Sequence, residues 1–468
     1  MSLTATATEV EMCSVRTRSP HPPDEPITPG GVFNGDTRSI RKSLEILESS
    51  PPPASPTPED LATAVPALTP SMRRKAKIQF AVLCGTLFLA GWNDGTTGPL
   101  LPRIQSVYHV NYAVVSLIFV FNCIGFVSAA AANVWLTDRL GFGKVMAIGG
   151  LAQVIGYCLD APAPPFPVLV LGYLVNGFGL SLQDAGANGF VASLKDNAAT
   201  KMGVLHAVYG LGALSAPLVA TQFAQLERWS FHFLCSLGLA LFNLISIVVT
   251  FRFKDQDACL AEIGQTPTHE SHEGGGNKYK QMFKLRSLHL LAFFIFIYVG
   301  VEVTLGGWIV TYVINLRGGG PSSGYISSGF FGGLTLGRVV LLPVNKFLGD
   351  RRAIVVYGLI AIGLELVVWL VPSLIGGAVA VSLVGFLLGP FYPIVMNQSA
   401  RVLPPRLLTG AIGWIAGFGQ AGSAFLPFLT GVLASRVGIQ ALQPLLVSMM
   451  VFMLFLWLLV PRDARRAD

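Results

Sequence analysis

The chain has 468 residues, of which 52% are hydrophobic and only 12% charged, against roughly a quarter charged in a water-soluble globular domain. That deficit excludes a soluble fold and points to a protein whose surface lies mostly in lipid. The net charge of +7 is therefore no nucleic-acid signature; its meaning lies in where the charges fall, and no nucleic-acid partner is expected.

Residues 1–77 are polar and Pro-rich, with Pro51, Pro52 and Pro53 in a row and repeated Ser/Thr-Pro pairs. Such a stretch cannot bury a core, so a disordered cytosolic tail is expected. It has no charged start leading into an apolar core and cleavage site, so the first apolar helix is expected to serve as its own signal.

From Ile78 onward, apolar runs of membrane-spanning length recur. The expected spans are 78–99, 112–136, 144–160, 166–193, 203–224 and 231–252, then 288–315, 323–347, 353–371, 374–399, 409–433 and 440–460. A polar loop over 253–286 separates two six-helix halves, 78–252 and 287–461, and residues 462–468 form a short tail. Of the basic residues outside the spans, Arg103, Arg228, Arg317 and Arg436 fall opposite the tail and the large majority fall on its side. With an even helix count, that bias puts both termini in the cytosol.

The first span ends in an unusual string, residues 91–102 (GWNDGTTGPLLP). A carboxylate inside the bilayer costs several kcal/mol and normally faces a polar cavity. Glycines and prolines also make this helix breakable, as transporters use interrupted helices at their binding sites. A snorkelling acid at the helix end is the rival reading.

Sliding the second half onto the first by 208 residues pairs Asp94 with Glu302, Thr96 with Thr304, Gly98 with Gly306, Gly125 with Gly333, Gly141 with Gly349 and Gly177 with Gly385. The expected fold is therefore an all-α membrane protein of twelve transmembrane helices in two pseudo-symmetric bundles, the major facilitator superfamily architecture.

Four strings resemble one branch of that superfamily, the fucose–proton symporter family and its fungal relatives. They are residues 92–102 (WNDGTTGPLLP), 183–188 (QDAGAN), 205–217 (LHAVYGLGALSAP) and 298–308 (YVGVEVTLGGW). The resemblance spans roughly residues 78–461 and implies an alternating-access carrier with sugars as its best-known cargo. It also implies roles for an acid followed four residues later by Asn in helix 4, matched by Asp184 and Asn188, and for an acid in helix 1, for which Asp94 is the candidate. One departure is Val134, where the superfamily has a glycine before the Asp138-Arg139-Leu140-Gly141 loop. A fungal source is suggested, with the plasma membrane first and the vacuolar membrane second as the compartment.

Three acids fall in apolar helices, Asp94, Asp184 and Glu302. A carboxyl in such surroundings can bind and release a proton near neutral pH, so these are the proton-coupling candidates, Asp184 first. Permanent pairing with a cation that only braces the fold is the alternative, and Arg338 is the obvious intramembrane partner and half-to-half brace. Asn93, Asn122, Gln183, Asn188, His206, Asn397 and Gln398 could bind hydroxyl-rich cargo, because amides offer both donors and acceptors. Tyr209, Trp308 and Trp414 could stack on a sugar ring. Interhelical hydrogen bonding explains any single one of these as well. Asp138 and Arg139, with Arg351 and Arg352 in the matching loop of the second half, are candidate cytosolic latches.

No phosphate-cradling GxxxxGK[ST] occurs, no metal-ligand or CxxC spacing among the six cysteines, and no enzyme signature. Small solute, protons and lipid bilayer are the expected partners of a monomer with no cofactor and no bound metal. Proton-driven efflux of a metabolite or drug, and a non-transporting nutrient sensor, remain as rivals.

Overall fold

The computed structural model describes residues 69–265, 278–404 and 407–462. The disorder expected of the N-terminal tail, together with Arg406, Arg465 and Arg466, lies outside them. Within them the chain makes twelve long helical passes and no strand. These are α1 (Pro70–Tyr108), α2 (Tyr112–Leu140), α3 (Phe142–Asp160), α4 (Phe166–Ala192), α5 (Ala198–Ala224) and α6 (His232–Phe251). The second half follows with α7 (Arg286–Leu316), α8 (Tyr325–Val340 with Leu342–Leu348), α9 (Asp350–Leu370), α10 (Leu374–Leu388 with Phe391–Val402), α11 (Leu408–Val437) and α12 (Leu442–Leu459).

Ten of these are long and apolar enough to cross a membrane on composition alone, and α8 joins them as a span bent by 57°. That bend falls just before Pro343, whose ring and missing N–H break the helical ladder. Pro390 does the same between the two parts of α10. The remaining pass, α1, is 39 residues long, and its apolar character is diluted by Asn93, Asp94, Thr96 and Thr97. Contrary to expectation it is not interrupted: Pro99 and Pro102 both lie inside one continuous helix. Its entry is fixed by Thr69, whose Oγ1 accepts from the Met72 N–H at 3.3 Å, with Pro70 in the first turn, where no N–H is needed.

The 208-residue repeat is visible in the packing. A Cβ at Gly125 on α2 would run into the carbonyl of Leu174 on α4, and one at Gly333 on α8 would meet that of Ser382 on α10. Leu174 and Ser382 are themselves 208 apart. Gly141 and Gly349 turn the α2–α3 and α8–α9 loops at φ +83° and +79°, a region only glycine enters freely. On the pseudo-axis, Gly98 of α1 rests directly on the backbone of its mate Gly306 in α7.

Each half is strapped by the segment that follows its last helix. After α6 a short helix, Gln256–Ala261, crosses the ends of α1, α3 and α4. Gln79 Nε2 donates to the Cys259 carbonyl at 3.3 Å, Gly143 N–H to the Lys254 carbonyl at 2.8 Å and Gln256 Nε2 to Ser193 Oγ at 3.2 Å. Beneath it Cys259, Leu260 and Ile263 pack on Leu83, Phe142 and Phe251. After α12, the carbonyls of Pro461 and Arg462 accept from Gln398 Nε2 at 2.9 and 3.0 Å.

An even number of passes brings both described ends, Thr69 and Arg462, to one face, here the terminal face. The halves meet on the opposite side. There Asn315 Nδ2 donates to Tyr112 Oη at 2.9 Å, Gln222 Nε2 donates to Tyr325 Oη, and Gly324 abuts Thr221. Contact continues inward as far as Gly210 on Thr335 and Cys123 Sγ on the Gln420 carbonyl at 3.4 Å. Nearer the terminal face, Gly203, Gly413 and Gly417 meet open space within 4 Å. Among the described residues every hydrogen bond between the halves lies opposite the termini or at mid-depth, so over those residues the halves are closed opposite the termini and parted beside them.

Candidate solute cavity and coupling residues

Between the halves lies a cavity of about 130 Å³, walled by both. A buried water needs roughly 10–15 Å³ measured this way, so the space holds several waters or one small polar solute. Its polar wall is α1, which contributes Asn93, Asp94 and Thr97, with Asn122 from α2, Tyr173 from α4 and Tyr209 from α5. Across it stand Glu302 of α7 and Gln420 and Ser423 of α11, while Phe119, Val299 and Phe331 supply apolar faces. The 208-residue repeat thus aims its two acids, Asp94 and Glu302, into one space from opposite halves.

Around Asp94 the hydrogen bonds come from neutral groups. Tyr209 Oη donates to Oδ2 at 2.6 Å and Asn93 Nδ2 to Oδ1 at 3.4 Å. Asn93 is itself oriented from behind, its Oδ1 accepting from Asn176 Nδ2 at 2.5 Å and from Tyr157 Oη at 3.4 Å. Glu302 is balanced differently, by Arg338 with Nη2 at 3.9 Å from Oε1. Two lining groups, Asn122 Oδ1 and Tyr173 Oη, are buried with no hydrogen-bond partner among the described residues. Buried polar atoms are rarely left so, and both belong to residues of the cavity wall.

Other expected site residues stand elsewhere. Asp184 is off the cavity wall and accepts from Asn188 Nδ2 at 3.0 Å, one turn away on the same helix. Gln183, beside it, points the other way: Nε2 donates to the Met146 carbonyl at 3.2 Å, and Oε1 accepts from Asn243 Nδ2 at 3.1 Å. It joins α3, α4 and α6 inside one half. Trp308 is fully buried, with Nε1 donating to the Pro427 carbonyl at 3.0 Å. Trp414 packs on Phe283 and Phe418, Gln398 serves the strap after α12, and Asn397 is exposed. Tyr209 lines the cavity, and its hydroxyl holds Asp94. His206 lies half-buried within electrostatic reach of Arg338.

The four expected latch residues do not meet across the halves. Asp138 and Arg139 are exposed, and Arg139 lies over the Trp135 ring at 4.9 Å. Arg351 donates to the Leu458 carbonyl at 3.0 Å and to that of Val460 at 2.5 Å, closing the end of α12, while Arg352 is exposed. Arg338, expected to brace half to half, pairs with Glu302 inside the second half.

Sequence reasoning missed several residues. Thr97, Tyr173, Gln420 and Ser423 line the cavity, and Thr97 was within sight in the polar string of the first span. Two further acids are buried: Asp160 at the end of α3 is 1% exposed, and Glu365 in α9 is 0% exposed with both carboxyl oxygens unpartnered among the described residues. Neither lines the cavity.

A twelve-pass, two-fold repeated bundle with a polar cavity on its pseudo-axis is the build of a membrane carrier. Residues 83–374 match the family model of the Major Facilitator Superfamily, and the chain belongs to that family, a family of transporters rather than enzymes. It is similar to "Bypass of stop codon protein 6" of Saccharomyces cerevisiae, 28% identical over 409 residues that cover 81% of this chain and 82% of that one. It is also similar to a glucose/galactose transporter of Brucella abortus, 25% identical over 81% of this chain and 94% of that one. Among solved structures, the E. coli fucose:proton symporter FucP shares the fold with a TM-score of 0.58 at 15% identity, over 82% of this chain and 99% of that one.

Proposed function

We propose that this transporter works by alternating access and carries a sugar or similar hydroxylated small solute together with a proton. One observation carries the reading: Asp94 stands on the wall of the cavity between the halves, with Tyr209 and Asn93, both neutral, as its hydrogen-bond donors. An ionised carboxylate without a counter-charge is expensive there, and a proton from the open side supplies the compensating charge. Asp94 therefore precedes Asp184, which lies off the wall, and Glu302, which has Arg338. The surrounding amides and hydroxyls suit a donor- and acceptor-rich solute, and the sugar transporters among the relatives support that cargo class.

In this reading the moving bodies are residues 78–252 and 287–461, joined by the linker 253–286. The excess of basic residues at the terminal face puts that face in the cytosol, so the state described above is open to the cell interior. The plasma membrane is the proposed site and a monomer the proposed unit.

The test is proton flux in proteoliposomes on adding a panel of hexoses, with intact protein and with Asp94→Asn. Alkalinisation outside the vesicles that is lost in the variant is the expected result. Flux surviving in Asp94→Asn overturns the assignment of the proton, and silence of the intact protein across the panel overturns the cargo class in favour of exported metabolites.

A further inference from the structure

The crossing of α5 and α8 is the seam along which the halves touch. From the loop side it runs through Thr221 on Gly324 and Leu214 on Gly332, and it ends at Gly210 on Thr335. One turn further toward the terminal face, where the halves part, stands Arg338. Its guanidinium makes a single long contact with Glu302, 3.9 Å from Nη2 to Oε1. Its Nε–H is buried and has no partner among the described residues. An arginine carries five donors in a rigid fork and can serve two carboxylates at once; beside Glu302 and its other neighbour Tyr298, Arg338 still has its Nε–H to give.

The groups facing Arg338 come from three helices: His206 and Tyr209 of α5, Tyr298 and Glu302 of α7, and Tyr392 of α10. Tyr209 is the link, because its hydroxyl already holds Asp94 at 2.6 Å. Asp94 is in turn within reach of Glu302, of Asp184 on α4 and of Tyr157 on α3. Glu302 and Arg338 belong to one half, Asp94 and Tyr209 to the other. Rocking that closes the terminal face would swing the inner end of α8 toward that of α5, and Arg338 with it toward Tyr209 and the Asp94 that Tyr209 holds.

We propose that Arg338 reads the charge of Asp94 across the two halves: it pairs with Glu302 alone while the terminal face is open, and bridges Glu302 and Asp94 when that face closes. An ionised Asp94 then draws the terminal face shut, and a protonated Asp94 releases it. This rests on the proton reading of Asp94 given above and adds the means by which the proton is coupled to movement. For a symporter the sign is right: after inward release of proton and solute, the bare carboxylate attracts Arg338 and returns the empty carrier to its outward-open form.

Gly413 reports the state of the terminal face. It meets open space and lies seven residues from Gln420, on the cavity-facing side of α11. The full chain, with its six natural cysteines replaced and Gly413→Cys introduced, is labelled in proteoliposomes with a membrane-impermeant maleimide. Asp94→Asn is expected to speed labelling by about fivefold, a typical size for coupling between sites. Glu302→Gln is expected to slow it, because Arg338 is then free for Asp94 alone. In Arg338→Gln, Asp94→Asn is expected to change nothing further. Effects of Asp94→Asn that persist undiminished without Arg338, or a Glu302→Gln variant that labels faster, overturn the proposal. Because Arg338→Gln strands Glu302 as a buried acid, the same comparison is made in the Glu302→Gln background, where the acid that Arg338 pairs with is neutral as well. The two readings fail separately: hexose-driven proton flux that survives Asp94→Asn sinks the proton assignment, whereas the labelling cycle tests the ion-pair exchange itself.

Discussion

At Asp94 the protein holds a carboxylate with one short hydrogen bond, from Tyr209, and one long one, from Asn93. Tyr209→Phe deletes the short bond and leaves the ring in place. A hydrogen bond to a charged group is worth roughly 1.5–3 kcal/mol, so solute-driven proton flux is expected to fall by about tenfold or more. Tyr173→Phe makes the contrast. Tyr173 lines the cavity, and its hydroxyl is buried with no partner among the described residues, so its loss is expected to raise the KM for solute and leave the proton-to-solute ratio unchanged. Initial rates of solute uptake and of pH change in the same vesicles check both. Asp94 was legible in the sequence because an acid in an apolar helix is anomalous. Tyr173 was not, since a tyrosine in a span can as readily face lipid or a neighbouring helix.

Among the elements, the strap after α6 carries a testable electrostatic contact. Glu262 pairs with Lys254 and, at 3.1 Å, with Lys75 on α1. The Lys254 ammonium, with Lys75 adding to it, holds the Glu262 carboxyl below its usual value of 4.5. A carboxyl depressed in the folded state stabilises it in full above the unfolded value, and loses that contribution as pH falls through the folded one. Glu262→Gln is thus expected to lower the Tm of the purified protein at pH 7, with the gap to the natural chain closing below about pH 4.5. The effect should be no more than about 1 kcal/mol, because both lysines are close to half exposed. A gap independent of pH would mean that the strap holds by packing of Cys259, Leu260 and Ile263 alone. The length of the apolar runs identified the twelve helices but not this strap, whose six-residue helix is polar on one side and too short to register as an element.

Across the whole molecule, the closed side is held by few polar contacts, Asn315 with Tyr112 and Gln222 with Tyr325 among them. Small interfaces of this kind can open and re-form, as a rocking pair of halves requires. With the natural cysteines replaced, Gln222→Cys and Tyr325→Cys are expected to cross-link under mild oxidation and to stop solute exchange, and reduction is expected to restore it. Exchange that continues after complete cross-linking would exclude rocking about this seam.

Sequence by itself determined the membrane class, the twelve passes and the two-fold repeat. Each depends on properties that lie along the chain: the length of apolar runs, the sidedness of basic residues, and one offset that pairs Asp94 with Glu302 and Gly125 with Gly333. Tertiary structure alone decided which polar residues share a space. Gln183 and Asp184 are neighbours in sequence, yet Gln183 ties three helices together inside its half while Asp184 bonds along its own helix, because the rotation of α4 against its neighbours assigns each side chain its surroundings. Asp94, Tyr209, Glu302 and Arg338 come from four helices up to 244 positions apart. Their meeting is a product of the pseudo-two-fold packing of the halves, which no periodicity within one helix encodes.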